Sequence, residues 1–225
     1  GLSFRQQGGR FHMHDVLIFT ERQGTDAGPA IRINRAAGII DTLVLQGNHS
    51  GMVWNANNNG NYPSELSRAQ LSGTSCLLLI DHSDLIGQDN TILPECTGSI
   101  ILQNSQVNWS SFTDLTASTA INLDSFSKLH LHQPQQIDFA SAIIAPSAEI
   151  DIAWDIEVWV QNNNSNGIPS APVGISFDQF EPNAQENGND IGYVKFPNFI
   201  GQQWTQSGAS PLTTVTIDCA YDGLT

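Results

Sequence analysis

The sequence predicts an all-β chain, and three observations predict it. Helical periodicity is nearly absent, short apolar runs recur at intervals of about 23 or 24 residues, and one later stretch alternates polar and apolar side chains without a break. Together they divide the chain into parallel β-helix-like coils over residues 1–125 and an antiparallel β-sandwich, jelly-roll-like, over residues 126–225.

The coils come first. Apolar runs at Asp15 to Thr20, Ala30 to Asn34, Ile39 to Gln46, Cys76 to Asp81 and Ser99 to Gln103 lie between Gly, Asn and Asp turns. Val16-Leu17-Ile18-Phe19 and Leu77-Leu78-Leu79-Ile80 are apolar at consecutive positions, so both faces of such strands need cover. Stacked coils supply it: one face enters a solenoid interior, and loops or neighbouring subunits cover the other. The spacings from Val16 to Ile40 and from Leu78 to Ile101 suit coils of roughly 20 to 30 residues. Residues 47–73, rich in Asn and Gly, read as a loop excursion from the stack. Within it Ser64 to Leu71, capped after Pro63, is the best helical candidate and spans barely two turns.

The second region alternates. Glu149 to Gln161 places Ile150, Ile152, Trp154, Ile156, Val158 and Val160 on one face, and Asp151, Ala153, Asp155, Glu157 and Trp159 on the other. Lys128 to His132 and Thr213 to Asp218 are shorter versions of the same pattern. Turn signals at Asn162 to Pro172 and Asn183 to Asp190 separate further strands. The boundary falls near residues 124–127.

Charge adds a boundary in composition, after residue 68. Residues 1–68 hold six basic groups and five acids, whereas residues 69–225 hold Lys128 and Lys195 against 17 acids. A net charge of −14 so distributed argues against nucleic acid or an anionic membrane as partner, because both require clustered cations. A neutral or cationic partner, or bound calcium, fits the acidic region better. No apolar run reaches the roughly 20 residues that cross a bilayer, so no membrane insertion is expected. Asn and Gln number 36 against 30 charged residues, which suits loop-rich surface, carbohydrate contacts, or amide ladders between rungs. Of Cys76, Cys96 and Cys219, one bridge at most can form. Cys76 beside an apolar run and Cys219 at a strand end read as buried free thiols.

The run Gly9-Arg10-Phe11-His12-Met13-His14-Asp15-Val16-Leu17-Ile18-Phe19, followed by Gly28-Pro29-Ala30-Ile31-Arg32-Ile33, resembles coils of the right-handed β-helices of bacteriophage tailspikes. The likeness is one of pattern and covers residues 1–123. The segment after it resembles the trimerising or receptor-facing C-terminal domains that such spikes carry. The resemblance implies a homotrimeric tailspike or tail-fibre protein, located on the virion or outside the cell, which binds a host surface polysaccharide and in some cases cleaves it. A depolymerising β-helix has many more coils than residues 1–123 provide, so a binding module or a fragment is the closer match.

Four acids in the early coils, Asp15, Glu21, Asp26 and Asp41, are the candidates for glycan cleavage, which needs two carboxylates about 5 to 10 Å apart across a groove. Solvated turns are the ordinary reading of all four. The pairs His12/His14 and His130/His132 project from one face of a strand at metal-ligand spacing, but no acid or further histidine follows at the spacing a complete site needs. No cofactor motif is present. Asp81-His82-Ser83-Asp84 holds the ingredients of a nucleophilic triad without a nucleophile elbow and reads as a turn.

Aromatic faces stack on sugar rings while amides and carboxylates bond the hydroxyls. Trp54 with Asn55, Asn57, Asn58 and Asn59 forms one glycan-binding candidate, and Trp159 with Asp155 and Glu157 forms another. For Trp159 a contact between subunits is the competing reading.

Overall fold

The computed structural model describes residues 4–20, 28–48, 51–56, 64–73, 76–93, 96, 98–114, 120–180 and 183–219. Every regular element among them is a strand. None is a helix long and apolar enough to cross a membrane.

The chain winds through a β-solenoid. Its coils begin with the pairs β1 (Phe4–Gln7) and β2 (Arg10–Thr20), β3 (Ile31–Asn34) and β4 (Ala37–Gly47), and β5 (Met52–Asn55) and β6 (Ser64–Leu71). Two coils of three strands follow, β7 (Cys76–Asp81), β8 (Asp84–Gln88) and β9 (Thr91–Ile92), then β10 (Gly98–Gln103), β11 (Gln106–Ser110) and β12 (Thr113–Asp114). After them come β13 (Ala120–Leu123) and β14 (Lys128–His132), then β15 (Ile143–Ile144) and the start of β16 (Glu149–Trp159). The first strands of the coils form a parallel sheet in the order β1-β3-β5-β7-β10-β13-β15. The second strands form another parallel run, β2-β4-β6-β8-β11-β14. One turn of the solenoid takes from 21 residues, where Ser64 pairs with Leu85, to 27, where Arg10 pairs with Ala37.

This register explains the apolar runs. Ile33, Trp54, Ile80 and Leu102 occupy one column of the first sheet and are fully buried, with Leu123 continuing it. Ile31, Met52, Leu78, Ile100 and Ile121 form a second column. Each such side chain removed from water contributes roughly 1.5–3 kcal/mol. The alternate residues Leu77 and Leu79 face outward and remain half-buried. Val16 lies opposite Leu43 and Leu78 opposite Ile100, not Ile40 and Ile101 as the spacing of apolar runs suggests. Consecutive apolar positions conceal which residue of each run points inward.

Three expectations change. Within residues 47–73, Met52–Asn55 and Ser64–Leu71 are rungs of the stack, so the segment is not a single excursion. Ser64–Leu71 is a strand because Leu66, Ala69 and Leu71 bury against the preceding coil, and two helical turns have too little propensity to compete. Cys76 and Cys96 are joined in a disulfide, with Cα atoms 5.6 Å apart. Their separation of 20 residues is close to one coil, so the winding returns the chain to the same corner, where Gly98 pairs with Cys76. Cys219 is free and exposed.

Polar ladders turn the corners. The Ala56 N–H donates to the Ser83 hydroxyl (2.8 Å), the Ser83 N–H to Ser105 (3.1 Å), and the Ser105 N–H to Ser127 (3.1 Å). At the next corner Asp15, Thr42, Arg68, Asp89, Ser111 and Gln133 all have left-handed φ values between 52° and 59°, one in each of the first six coils. Gly47, at φ 119°, and Gly73, at φ 127°, stack where a Cβ on Gly73 would collide with the Gly47 carbonyl oxygen.

Compactness divides the chain after Asp151, later than the boundary at 124–127 that the change of strand pattern suggests. Residues 1–151 with 204–209 form one unit, and residues 152–203 with 210–225 form the other. In the second unit β17 (Pro172–Phe177) lies between β18 (Ala184–Asn187) and β21 (Val215–Cys219), antiparallel to both. The later part of β16 is a neighbour of β19 (Tyr193–Thr205), whose last two residues pair with β20 (Gly208–Ala209) in a hairpin that belongs to the first unit. Val173, Ile175, Val194 and Phe196 are the buried centre, with Ile156, Val158, Val160, Phe177 and Val215 packed around them.

Candidate functional site

β16 and β19 build a surface site of the second unit. The alternation of β16 turns Ile156 and Val158 toward the core and leaves Asp155, Glu157 and Trp159 on the other face. On β19, Val194 and Phe196 are buried, so Tyr193 and Lys195 take that same outer face. Trp159, 53% exposed, meets Tyr193 with ring centroids 4.7 Å apart and planes tilted by 49°.

Charges border the rings. Lys195 Nζ lies 2.5 Å from Asp155 and 3.9 Å from Glu157. Asp155 also accepts the Asn198 N–H at 2.9 Å, and its side chain is nearly buried, so Glu157 is the carboxylate open to solvent. The hydrogen bond to Asp155 holds the Lys195 ammonium above the ordinary lysine pKa, against a smaller loss from desolvation. The Tyr193 phenol is also raised, first by desolvation and then by the charge and hydrogen bond of Glu157. Around neutral pH the face therefore offers two aromatic rings, a phenol, an ammonium and an open carboxylate. It can stack an apolar ring face and exchange hydrogen bonds with hydroxyls at its edge.

Asp155, Glu157 and Trp159 are thus brought together, and reading β16 alone missed Tyr193 and Lys195. Their signal was the alternation in Tyr193-Val194-Lys195-Phe196.

Trp54 does not belong to a surface site. It is completely buried in the solenoid column, 5.5 Å from the Phe11 ring, so neither of its faces can receive a sugar. The stack claims it because Ile33 and Ile80 occupy the same register on either side. Asn55 gives its side-chain amide to Asp81 at 2.6 Å. Asn57, Asn58 and Asn59 lie outside the described residues, as do Glu21 and Asp26.

The two described acids of the early coils have other partners. Asp41 forms an ion pair with Arg68, and the same Oδ2 lies 3.7 Å from His14 Nδ1. Asp15, exposed, lies 3.4 Å from His14 Nε2. The His12 and His14 rings stack at 6.3 Å, and His130 Nδ1 is 3.9 Å from Asp151. Among the described residues no three His, Cys, Asp or Glu side chains gather around a point that could hold a metal ion. Ser83 is fully buried and donates its hydroxyl to the Asp81 carbonyl at 2.8 Å, as a corner residue.

Fold and surface define a β-solenoid followed by a small β unit with an aromatic and carboxylate face. No protein-family model, no curated protein and no solved structure matches this chain.

Proposed function

We propose that this chain is a receptor-binding region of a bacteriophage tailspike or tail fibre. It binds a host surface polysaccharide and assembles as a homotrimer on the virion, outside the cell. The observation that carries the reading is the half-exposed Trp159 ring seated on Tyr193, with Glu157 and Lys195 at its edge. A stacked ring supplies the apolar contact that a pyranose face needs, and the charged edge supplies hydroxyl partners. The solenoid and a disulfide suited to an oxidising compartment accord with it. In this reading the second unit is a compact antiparallel sandwich, its two sheets closed on Val173, Ile175, Val194 and Phe196.

The test is a surface-polysaccharide array read beside tryptophan fluorescence. Saturable binding by the wild-type chain, with at least a tenfold loss in Trp159→Ala, supports the reading. An array without a bound glycan overturns it.

A second reading, a structural module for assembly, is favoured by exposed apolar side chains on the solenoid, Leu17 at 67% and Phe19 at 55% on β2. Saccharide binding by the oligomer separates the two, because a stable oligomer that binds no saccharide fits only the second.

A further inference from the structure

β17 carries a glycine that its backbone does not require. Among the described glycines within strands, Gly38, Gly47, Gly87 and Gly98 each lie where a Cβ would strike a carbonyl oxygen of the neighbouring strand. At Gly201 a Cβ would strike the Trp154 ring, and Gly208 has a left-handed φ of 102°. Gly174 has neither constraint. A Cβ there would sit 3.7 Å from the Asp218 carbonyl oxygen and 3.8 Å from its Cβ, which is ordinary contact. Glycine in a strand interior destabilises by roughly 0.5–1 kcal/mol relative to alanine, and it commonly marks a place where another group approaches closely.

The space left open is bounded by polar groups. Gln185 and Asp218 stand opposite Gly174 on the two flanking strands, about 10 Å apart across two strand spacings. With Ser176 and Asn183 they line a shallow depression, open to solvent, of about 350 Å³. Asn183 accepts the Phe177 N–H through Oδ1 at 3.4 Å, which leaves its amide hydrogens to donate. Val173 and Ile175 point the other way, into the core.

We propose that the Gly174 cleft binds a neutral pyranose unit, its hydroxyls held by Asp218, Gln185, Ser176 and Asn183. The carboxylate accepts from two hydroxyls, the amides both donate and accept, and the missing side chain provides the floor. The lining has no cation, so the site disfavours uronic acids and phosphorylated sugars. Its open shape suits one ring lying against the strand. Trp159 lies on the outward face of the other sheet, so the inference does not depend on the reading of that residue.

The test is an amide NMR titration with the methyl glycosides of glucose, galactose, mannose and N-acetylglucosamine, each to about 100 mM, with methyl glucuronide as the acidic comparison. At least one neutral glycoside should shift the amides of residues 174–176, 183–185 and 218 and should exceed the glucuronide in affinity. Asp218→Asn should weaken that binding about tenfold. Gly174→Val fills the floor and should abolish it; Gly174→Ala, whose methyl fits at contact distance, is the milder variant and should weaken it. Trp159→Ala should leave these shifts unchanged, which separates this cleft from the aromatic face. The proposal is overturned if no neutral glycoside moves these amides, if Gly174→Ala binds as the wild type does, or if calcium alone moves them and chelation reverses the shift.

Discussion

The solenoid and the second unit use apolar side chains in opposite ways. In the solenoid, Ile33, Trp54, Ile80 and Leu102 repeat one environment, each resting on its counterpart one coil away. Cohesion there is a sum of nearest-neighbour contacts. The second unit has no repeated register and centres on Val173, Ile175, Val194 and Phe196. It leaves Trp159, Tyr193 and the Gly174 cleft on outward faces. Repetition supplies rigidity, and the irregular unit supplies chemical variety.

The comparison can be broken most forcefully inside a column. Leu102→Ala, fully buried between Ile80 and Leu123, should cost about 2–5 kcal/mol in urea unfolding. Ile217→Ala in the second unit, already 46% exposed, should cost under about 1 kcal/mol. Equal losses would mean that the column is not the main source of cohesion. Next comes the disulfide. Replacing Cys76 and Cys96 together by serine should remove about 3 kcal/mol from the unfolding of the solenoid, as expected for a closed loop of this size. Fluorescence of the Trp159 and Tyr193 face should be unaffected below that transition.

A smaller effect probes the corner ladder. Ser105→Ala leaves the Ser83 N–H buried without its acceptor, at a cost of about 1–3 kcal/mol. Ser207→Ala, in an exposed turn of the β19–β20 hairpin, should be near neutral. Unchanged urea midpoints for Ser105→Ala would remove the ladder from the account of coil stability.

These particulars also show what the sequence disclosed. The parallel coils were legible because burial on both sides of a strand leaves consecutive apolar residues, as at Leu77 to Ile80. The strand at Glu149 to Trp159 was legible because it has one wet face and one dry face, and Asp155, Glu157 and Trp159 followed from its parity. The fate of Trp54 was not legible, because an Asn-rich neighbourhood looks like surface and only the register with Ile33 and Ile80 reveals the interior. The Cys76–Cys96 bond was hidden for a related reason: coil length varies, so a separation of 20 residues identifies one corner only after the winding is known. The serines at 83, 105 and 127 were a readable repeat of 22 residues, but hydroxyl side chains seldom mark an interior.

The smallest expected effect separates the two regions by pH. Partial burial alone would raise the pKa of Asp124 in the solenoid. The Ser127 hydroxyl and the Asn104 and Phe126 N–H groups outweigh it, and the net shift is downward. A carboxyl lowered in the folded state contributes stability above its ordinary value of 3.8, and that contribution is lost as pH falls through the folded pKa. Lys195 in the second unit is raised, chiefly by its hydrogen bond to Asp155. Its contribution is complete below 10.5 and is lost as pH rises beyond that value. Asp124→Asn should therefore flatten the decline in solenoid stability below about pH 4 and leave the alkaline limb unchanged. Lys195→Met should alter the alkaline response of the Trp159 fluorescence and leave the acid decline of the solenoid unchanged. If Asp124→Asn alters the alkaline response of the Trp159 fluorescence, or Lys195→Met alters the acid decline of the solenoid, the two titrations are coupled, and the regions do not respond to pH independently.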